Sequence, residues 1–397
     1  MVLTNFGTRG DVQPLLSLGA ELVAHGHTAI YAVPPSAAVL VREHGFEPEC
    51  IGPDLTSLRD QISSDWVANG EIDSSPEQLW RLLHPLQQHF RQVFDQLHAI
   101  CMGADVLVAG PAQPVARVIH EVCAIPFVSV QFCHFGGNGG PALRLASEML
   151  VNPFRRSLGL PALSDPLTIN ANSPQLALYA MSAHLRSKPM SWPRHRHITG
   201  FFFGSRDAIP SASLIAFMES GPAPVSITFG SMIHSEEDFV PMIARAVQKT
   251  GCRAVIQSVP GRTSQSVNSS SIYLAESLPH DWLFPRSSCV VLHGGAGTTA
   301  AVLRAGVPGI FVPHGYDQRY WAQICFELGC TGEPIEISEL TENRLAGSIE
   351  LVLRHSGIRD SASQIGVKVR SERGVQCARH MIEDLVRKVG LTEIGDF

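Results

Sequence analysis

Leu292-His-Gly-Gly-Ala-Gly-Thr-Thr299, followed by Pro313-His-Gly-Tyr-Asp-Gln318, decides how this chain of 397 residues is read. The apolar run at 289–292 is predicted to be a short strand that enters a glycine-rich turn. The turn should open a helix over residues 298–305. Glycines let backbone N–H groups approach a phosphate, and a helix N-terminus adds unpaired donors and a partial positive charge. On that chemistry the backbone of Gly295, Ala296, Gly297 and Thr298, with the His293 ring, makes a diphosphate grip. The next strand, 309–312, delivers Asp317 and Gln318. A carboxylate beside an amide suits the neighbouring hydroxyls of a sugar.

Working outward, one pattern runs twice. Short apolar runs at 2–5, 28–33, 106–109, 127–132 and 176–181 read as strands in the first half, and those at 225–229, 253–257, 271–275, 289–292 and 309–312 in the second. Helical stretches at 13–24, 36–44, 77–101, 238–250 and 298–305 lie between them. Strands alternating with helices predict parallel sheets covered on both faces. The fold class is therefore α/β, with two Rossmann-like domains facing across a cleft. A first domain is expected at 1–200 and a second at 216–375. A linker at 201–215 lies in a stretch rich in Pro, Arg and Gly that begins near residue 187. Within 77–101, Leu79, Leu82, Leu83, Leu86, Phe90, Val93, Phe94 and Leu97 recur at helical spacing, and Pro85 should kink or split the helix. Residues 51–73 and 136–165 read as long loops.

Composition narrows the function. Hydrophobic residues are 45% and charged residues 17%, which suits a folded globular protein, and a net charge of −6 argues against a nucleic-acid partner. Nine scattered cysteines without a CxxC pair read as reduced thiols in a cytoplasmic protein. No apolar run reaches the length that spans a bilayer. Peripheral membrane contact stays open: Arg155, Arg156, Arg194 and Arg196 sit near apolar residues, although such charges usually cover a solvated face. Nothing in the sequence separates a monomer from a homodimer. A nicotinamide-dependent oxidoreductase would need GxGxxG after the first strand, and Gly7-Thr-Arg-Gly10 lacks that spacing.

Three separated segments resemble the GT-B glycosyltransferases of family 1, above all bacterial natural-product and sterol-type glucosyltransferases. They are Gly7-Thr-Arg-Gly-Asp-Val-Gln-Pro14, Pro279-His-Asp-Trp-Leu-Phe-Pro285 with the His293 turn, and Asp317-Gln-Arg-Tyr-Trp-Ala322. The resemblance implies a nucleotide-sugar donor, UDP- or dTDP-linked, and a lipophilic small-molecule acceptor. It also implies that the closing helix, near 376–397, returns to the first domain, and that the 77–101 stretch helps wall the acceptor pocket; a plain core stripe is the competing reading.

The resemblance puts Asp11 where many members hold a catalytic histidine. Asp11 is thus a candidate general base for an acceptor hydroxyl, and also a candidate helix N-cap. Gly10 precedes it in the same loop and is assigned to donor binding. His134, in Gln131-Phe-Cys-His-Phe135, is the second candidate base, base partner or pocket wall. The carboxylate that orients the family's usual histidine is replaced here by Gly110. The implied reaction is inverting displacement at the anomeric carbon. His293, the 295–298 amides and Ser231 would hold the leaving diphosphate without a metal, since there is no DxD anchor. Leu278, Pro279 and His280 match the segment that pins the nucleobase, with Trp282 either stacked there or in the core. Ala301 replaces a ribose-binding Glu of plant members, so UDP and dTDP are not separated. Asp317 and Gln318 favour a hexose, glucose first, with a 6-deoxy sugar as the variant. A nucleotide-sugar-binding helper protein with weak catalysis is the alternative.

Overall fold

A computed structural model of the chain describes residues 1–7, 9–54, 80, 84–133, 140–204, 210–229, 236–257, 269–275, 279–315 and 317–394. The chain divides into two units, Met1–Ser205 with Arg373–Phe397, and Arg206–Glu372.

Among its described residues the first unit holds seven strands: β1 Val2–Thr4, β2 Ile30–Val33, β3 Pro48–Cys50, β4 Leu107–Ala109, β5 Phe127–Gln131, β6 Leu176–Tyr179 and β7 Arg196–Ile198. All pair in parallel, in the order β3-β2-β1-β4-β5-β6-β7. The central strands are buried along their whole length, as a sheet covered on both faces requires. The second unit holds β8 Val225–Thr228, β9 Ala254–Gln257, β10 Ile272–Ala275, β11 Cys289–Leu292 and β12 Gly309–Phe311, in the parallel order β10-β9-β8-β11-β12. In each sheet the order runs outward in both directions from a central pair, β1 with β4 and β8 with β11. Such reversals leave a crevice at the carboxyl ends of the strands, where ligands of open α/β sheets bind.

The ten expected strands all occur, displaced by a residue or two at their ends. The two additional ones, β3 and β7, are sheet edges. Their sequences, Pro48-Glu-Cys50 and Arg196-His-Ile198, are partly wet and carry no apolar run to read. Residues 140–157 are not a loop: Gly140–Ser157 is an 18-residue helix. Ala146, Leu150, Val151 and Phe154 give it a buried face at helical spacing, despite Pro153. Arg155, expected on a solvated face, is only 1% exposed. Its guanidinium pairs with Glu121 at 2.6 Å and donates to the Pro161 carbonyl at 2.9 Å. A charge so deeply buried persists only when paired.

The 77–101 stretch is helical at 84–87 and, after a turn at Gln88–His89, in Phe90–Cys101, so the break falls after Pro85 rather than at it. Phe90, Val93, Phe94 and Leu97 are buried, and both phenyl rings meet Phe154 edge-on at 5.9 and 5.8 Å. That is core packing. Leu79, Leu82, Leu83 and most of the 51–73 segment lie outside the described residues.

The helix Gly374–Ile394 packs on the helix Arg9–Ala24. Arg379 pairs with Glu21 at 3.1 Å and with Glu383 at 2.9 Å, and His27 reaches Glu383 at 3.0 Å. Helix Ala212–Glu219 opens the second unit on a Ser211 cap and takes residues 212–215 out of the expected linker. At the chain's return, Gly374 lies so close to the outgoing segment that an added Cβ would sit 2.3 Å from the Phe201 carbonyl oxygen.

Candidate functional site

In the first unit the polar groups gather at the central strand pair. β1 ends at Thr4, and the buried Asn5 follows it. Asn5 donates to the Asp11 carbonyl at 2.8 Å and accepts from the Ala112 N–H at 3.0 Å. One amide therefore ties the start of the first helix to the loop after β4. Gln113 from that loop donates to the Thr4 hydroxyl at 3.0 Å, both side chains buried.

Gly110, which stands where the resemblance expected a carboxylate, leaves room for this strut. A Cβ there would lie 2.3 Å from the Asn5 side-chain nitrogen. Asp11 is half-buried in the first turn of Arg9–Ala24, inside the helix rather than at its N-cap. The positive end of the helix favours its carboxylate. The side chain folds back over Gly7, whose φ is +125° and whose Cβ would come within 2.5 Å of Asp11 Oδ2. Glycine is demanded there both by the backbone and by the space. Gly10 is exposed in the same turn. His134 lies outside the described residues.

In the second unit β11 runs into His293, Gly294 and Gly295, and the helix Ala296–Ala305 begins on Gly295 as its N-cap. Gly294 takes φ +93° to turn the chain, against the Gln318 backbone. The helix therefore starts two residues earlier than its predicted 298. The N–H groups of its first turn, Ala296, Gly297 and Thr298, have no acceptor within the helix. Among the described residues nothing lies within 4 Å of the position a Cβ would take on Gly297, so the approach to the first turn is open to them at that point.

His293 is 9% exposed, and its Nε2 lies over Gly295, 2.5 Å from where a Cβ would be. Burial pushes its pKa down to about 3, the nearby His314 and His280 add to this, and a hydrogen bond with the Thr228 backbone opposes it. The ring is neutral at pH 7, and its Nδ1 has no hydrogen-bond partner among the described residues. A neutral imidazole has a single N–H, which the Thr228 backbone already draws on; an arriving anion would raise the pKa and favour a second N–H.

The neighbouring strand ends complete the arrangement. Thr228 at the end of β8 donates to Gln257 at the end of β9 at 2.8 Å, and His280 Nε2 lies 3.5 Å from the same Gln257 oxygen. His280 stacks on the buried Phe284 at 4.4 Å, with Pro279 as the cap before it. Trp282 is half-buried under the Arg286 guanidinium at 4.8 Å, neither core nor free for stacking on that face.

After β12, Gln318 is 5% exposed and its side-chain Oε1 accepts from the His314 backbone N–H at 2.7 Å, which closes the 314–318 turn. Asp317 Oδ2 accepts from the indole N–H of the fully buried Trp321 at 3.2 Å. Each side chain thus already holds its own loop. Ser231 and Leu278 lie outside the described residues. Asn5, Gln257 and His314 were not singled out from the sequence. His314 had a readable signal: a His-Gly pair follows β11 directly and β12 after Val312 and Pro313, and both glycines take positive φ, +93° and +153°.

Known proteins agree on the kind of molecule. Residues 1–135 match the glycosyltransferase family 28 N-terminal domain, and residues 254–376 the erythromycin biosynthesis protein CIII-like C-terminal domain. The chain is 28% identical to the O-mycaminosyltylonolide 6-deoxyallosyltransferase of Streptomyces fradiae, covering 97% of both proteins. It is also 28% identical to a sterol 3-beta-glucosyltransferase of Arabidopsis thaliana, over 94% of this chain and 64% of that longer protein. Among solved structures, the glycotransferase of kitacinnamycin shares the fold at TM-score 0.77 and 20% identity, covering 97% of this chain and 98% of that one. The spinosyn rhamnosyltransferase solved with thymidine diphosphate does so at 0.72 and 19%, covering 97% and 99%. Two parallel sheets with flanking helices, matching domains at both ends and relatives along nearly the whole length place this chain among the GT-B glycosyltransferases of the natural-product and sterol type.

Proposed function

We propose that the chain moves a hexose from a nucleoside-diphosphate sugar to a hydroxyl of a lipophilic small molecule, with inversion at the anomeric carbon. The observation that carries this is the carboxyl edge of the second sheet. There a buried neutral His293 stands beside the open first turn of Ala296–Ala305, with Asp317 and Gln318 following the adjacent strand. That edge suits an anion flanked by hydroxyls. The amides of Ala296, Gly297 and Thr298, the His293 ring and Ser231 would take the charge that grows on the departing diphosphate. Fixed donors aimed at developing charge are commonly the largest catalytic contribution, so no metal is needed in this reading. Pro279, His280 and the Leu278 backbone would hold the nucleobase.

In the first unit Asp11 would take the proton of the acceptor hydroxyl. The acceptor oxygen bonds to the anomeric carbon while the bond to the diphosphate breaks, and the electron pair leaves with the nucleoside diphosphate. Positioned proton transfer of this kind contributes roughly 10² to 10⁴ in rate. His134 is the second candidate for that role.

The sugar is glucose or a 6-deoxyhexose. The names of the Arabidopsis and Streptomyces relatives point to one each, and the thymidine diphosphate held by the spinosyn enzyme makes dTDP as eligible as UDP. The test is a screen of hydroxylated aglycones (macrolides, sterols and hydroxy-lipids) against UDP-glucose and dTDP-sugars, read by mass spectrometry. A hexose or deoxyhexose adduct that disappears in Asp11→Asn while nucleotide binding persists supports transfer. Nucleotide-sugar binding with no adduct and no donor hydrolysis would leave a helper protein instead.

A further inference from the structure

No acidic residue stands between Asp165 and Asp207, although the whole chain carries a net charge of −6. The part of this segment that leads into the edge strand β7 is rich in cations. His184, Arg186, Lys188 and Arg194 are exposed, and His195, Arg196 and His197 are half-buried. Charge of one sign so concentrated on an otherwise acidic protein sets up a local positive field. The imidazoles register it. Besides burial, the influences that hold His195 below its ordinary pKa are Arg196 and Lys188, and those on His197 are Lys188 and His195; no carboxylate is among them.

The backbone presents this charge in two successive turns, each begun by a proline. The Trp192 N–H donates to the Pro189 carbonyl at 3.1 Å, and the Arg196 N–H to the Pro193 carbonyl at 3.2 Å. The first turn carries Met190 at its tip, the second Arg194 and His195. Met190 is 104% exposed, the most exposed large apolar side chain among the described residues. The turn under it is anchored, because Trp192 packs on Tyr179 of β6 at 4.2 Å and Tyr179 is itself buried. A single exposed methionine is ordinary, and so is a solvated arginine. A fully extended apolar tip on a fixed turn, bordered by cations with no acid in the same stretch, is a different combination. It suits a surface that is negatively charged outside and apolar a few ångströms deeper, which is the chemistry of an anionic lipid interface.

We propose that Met190, flanked in the chain by the exposed Lys188 and Arg194 and more distantly by Arg186 and Arg196, docks the first unit on an anionic phospholipid surface. The methionine enters the headgroup layer and the cations meet the lipid phosphates and carboxylates. An acidic polypeptide or a nucleic acid would use the cations but has no place for the apolar tip. The remainder of the chain, more acidic still, is repelled by the same surface, so attachment is confined to this face. The inference does not depend on sugar transfer.

The test is co-sedimentation of the full chain with phosphatidylcholine vesicles, with and without roughly one-third phosphatidylserine, at low salt and at about 0.5 M. Binding is expected only with phosphatidylserine and only at low salt. Lys188→Ala should lower the partition coefficient about fivefold, and the double reversal K188E/R194E should abolish it. M190S should weaken it several-fold at unchanged salt dependence, with melting temperatures like the parent's. Equal binding to uncharged vesicles, no binding at low salt, or binding indifferent to K188E/R194E would overturn the proposal. So would polyglutamate or RNA binding that is lost in K188E/R194E but not in M190S, if phosphatidylserine vesicles are not bound.

Discussion

The carboxyl edges of the two sheets share a topology and differ in how they finish it. In the first unit most polar atoms at the reversal point satisfy one another, and Gln113 Oε1 is left without a partner among the described residues. Asn5 binds both loops, Gln113 reaches Thr4, and Gly110 is bare so that the strut fits. In the second unit the edge is left incomplete. A buried imidazole has a nitrogen without a described partner, and the first helical turn beside it is open. An unmade hydrogen bond on a buried group costs roughly 1–3 kcal/mol, a cost that a site awaiting an anion can recover on binding. On the proposed function, the first edge would hold the Asp11 carboxylate in place through its backbone, and the second would be completed by a ligand.

If that contrast is right, the largest effect should come from the fixed carboxylate. Asp11→Asn should lower kcat by up to about 10⁴ while calorimetry with UDP and dTDP shows unchanged affinity. A parallel loss of nucleotide binding would erase the division of labour between the edges. His293→Ala should do the reverse in kind, weakening diphosphate binding and slowing turnover by about a hundredfold.

Gly110→Ala strikes the closed network. Its Cβ would lie 2.3 Å from the Asn5 nitrogen, and overpacking of this sort costs about 1–3 kcal/mol. Thermal unfolding should show that loss, together with a fall in activity because Asp11 loses its backbone anchor. Wild-type melting and turnover in this variant would mean that the strut is dispensable.

The open edge makes a further prediction about acid. His293 titrates near 3 in the native protein against 6.5 for the free side chain. The unfolded chain therefore takes up a proton first as the pH falls. The stability is present above pH 6.5 and is lost as the pH drops from there towards 3, with a slope of up to about 1.4 kcal/mol per pH unit. Urea unfolding at pH 7 and pH 5 measures it, and His293→Gln should flatten the slope. The smallest change is expected from Asp317→Ala, chiefly a relaxed choice among sugar epimers with a modest drop in melting temperature as the Trp321 indole loses its acceptor. Wild-type use of glucose and its epimers at equal rates would remove the basis for the first part.

The sequence made the inner strands legible because they are continuous apolar runs, buried on both faces. Pro48-Glu-Cys50 and Arg196-His-Ile198 were illegible for the complementary reason: an edge strand is held by pairing on one side and needs no such run. The Gly140–Ser157 helix was hidden by its proline and its polar exposed face, although its buried positions keep helical spacing. At the site, glycine turns and His293 could be read locally. Asn5 could not, because its value lies in contacts 107 residues away at Ala112. The buried state of Gln318 likewise depends on the turn it closes rather than on its own neighbours in sequence.

Gly374 has a consequence for engineering. Since the returning chain touches the outgoing one at Phe201, residues 206–372 form an insertion whose two ends are rooted side by side in the host lobe. Excision with a short splice should leave a foldable remainder, and transplanting the same block from a relative should yield chimaeras that exchange one lobe's chemistry as a cassette.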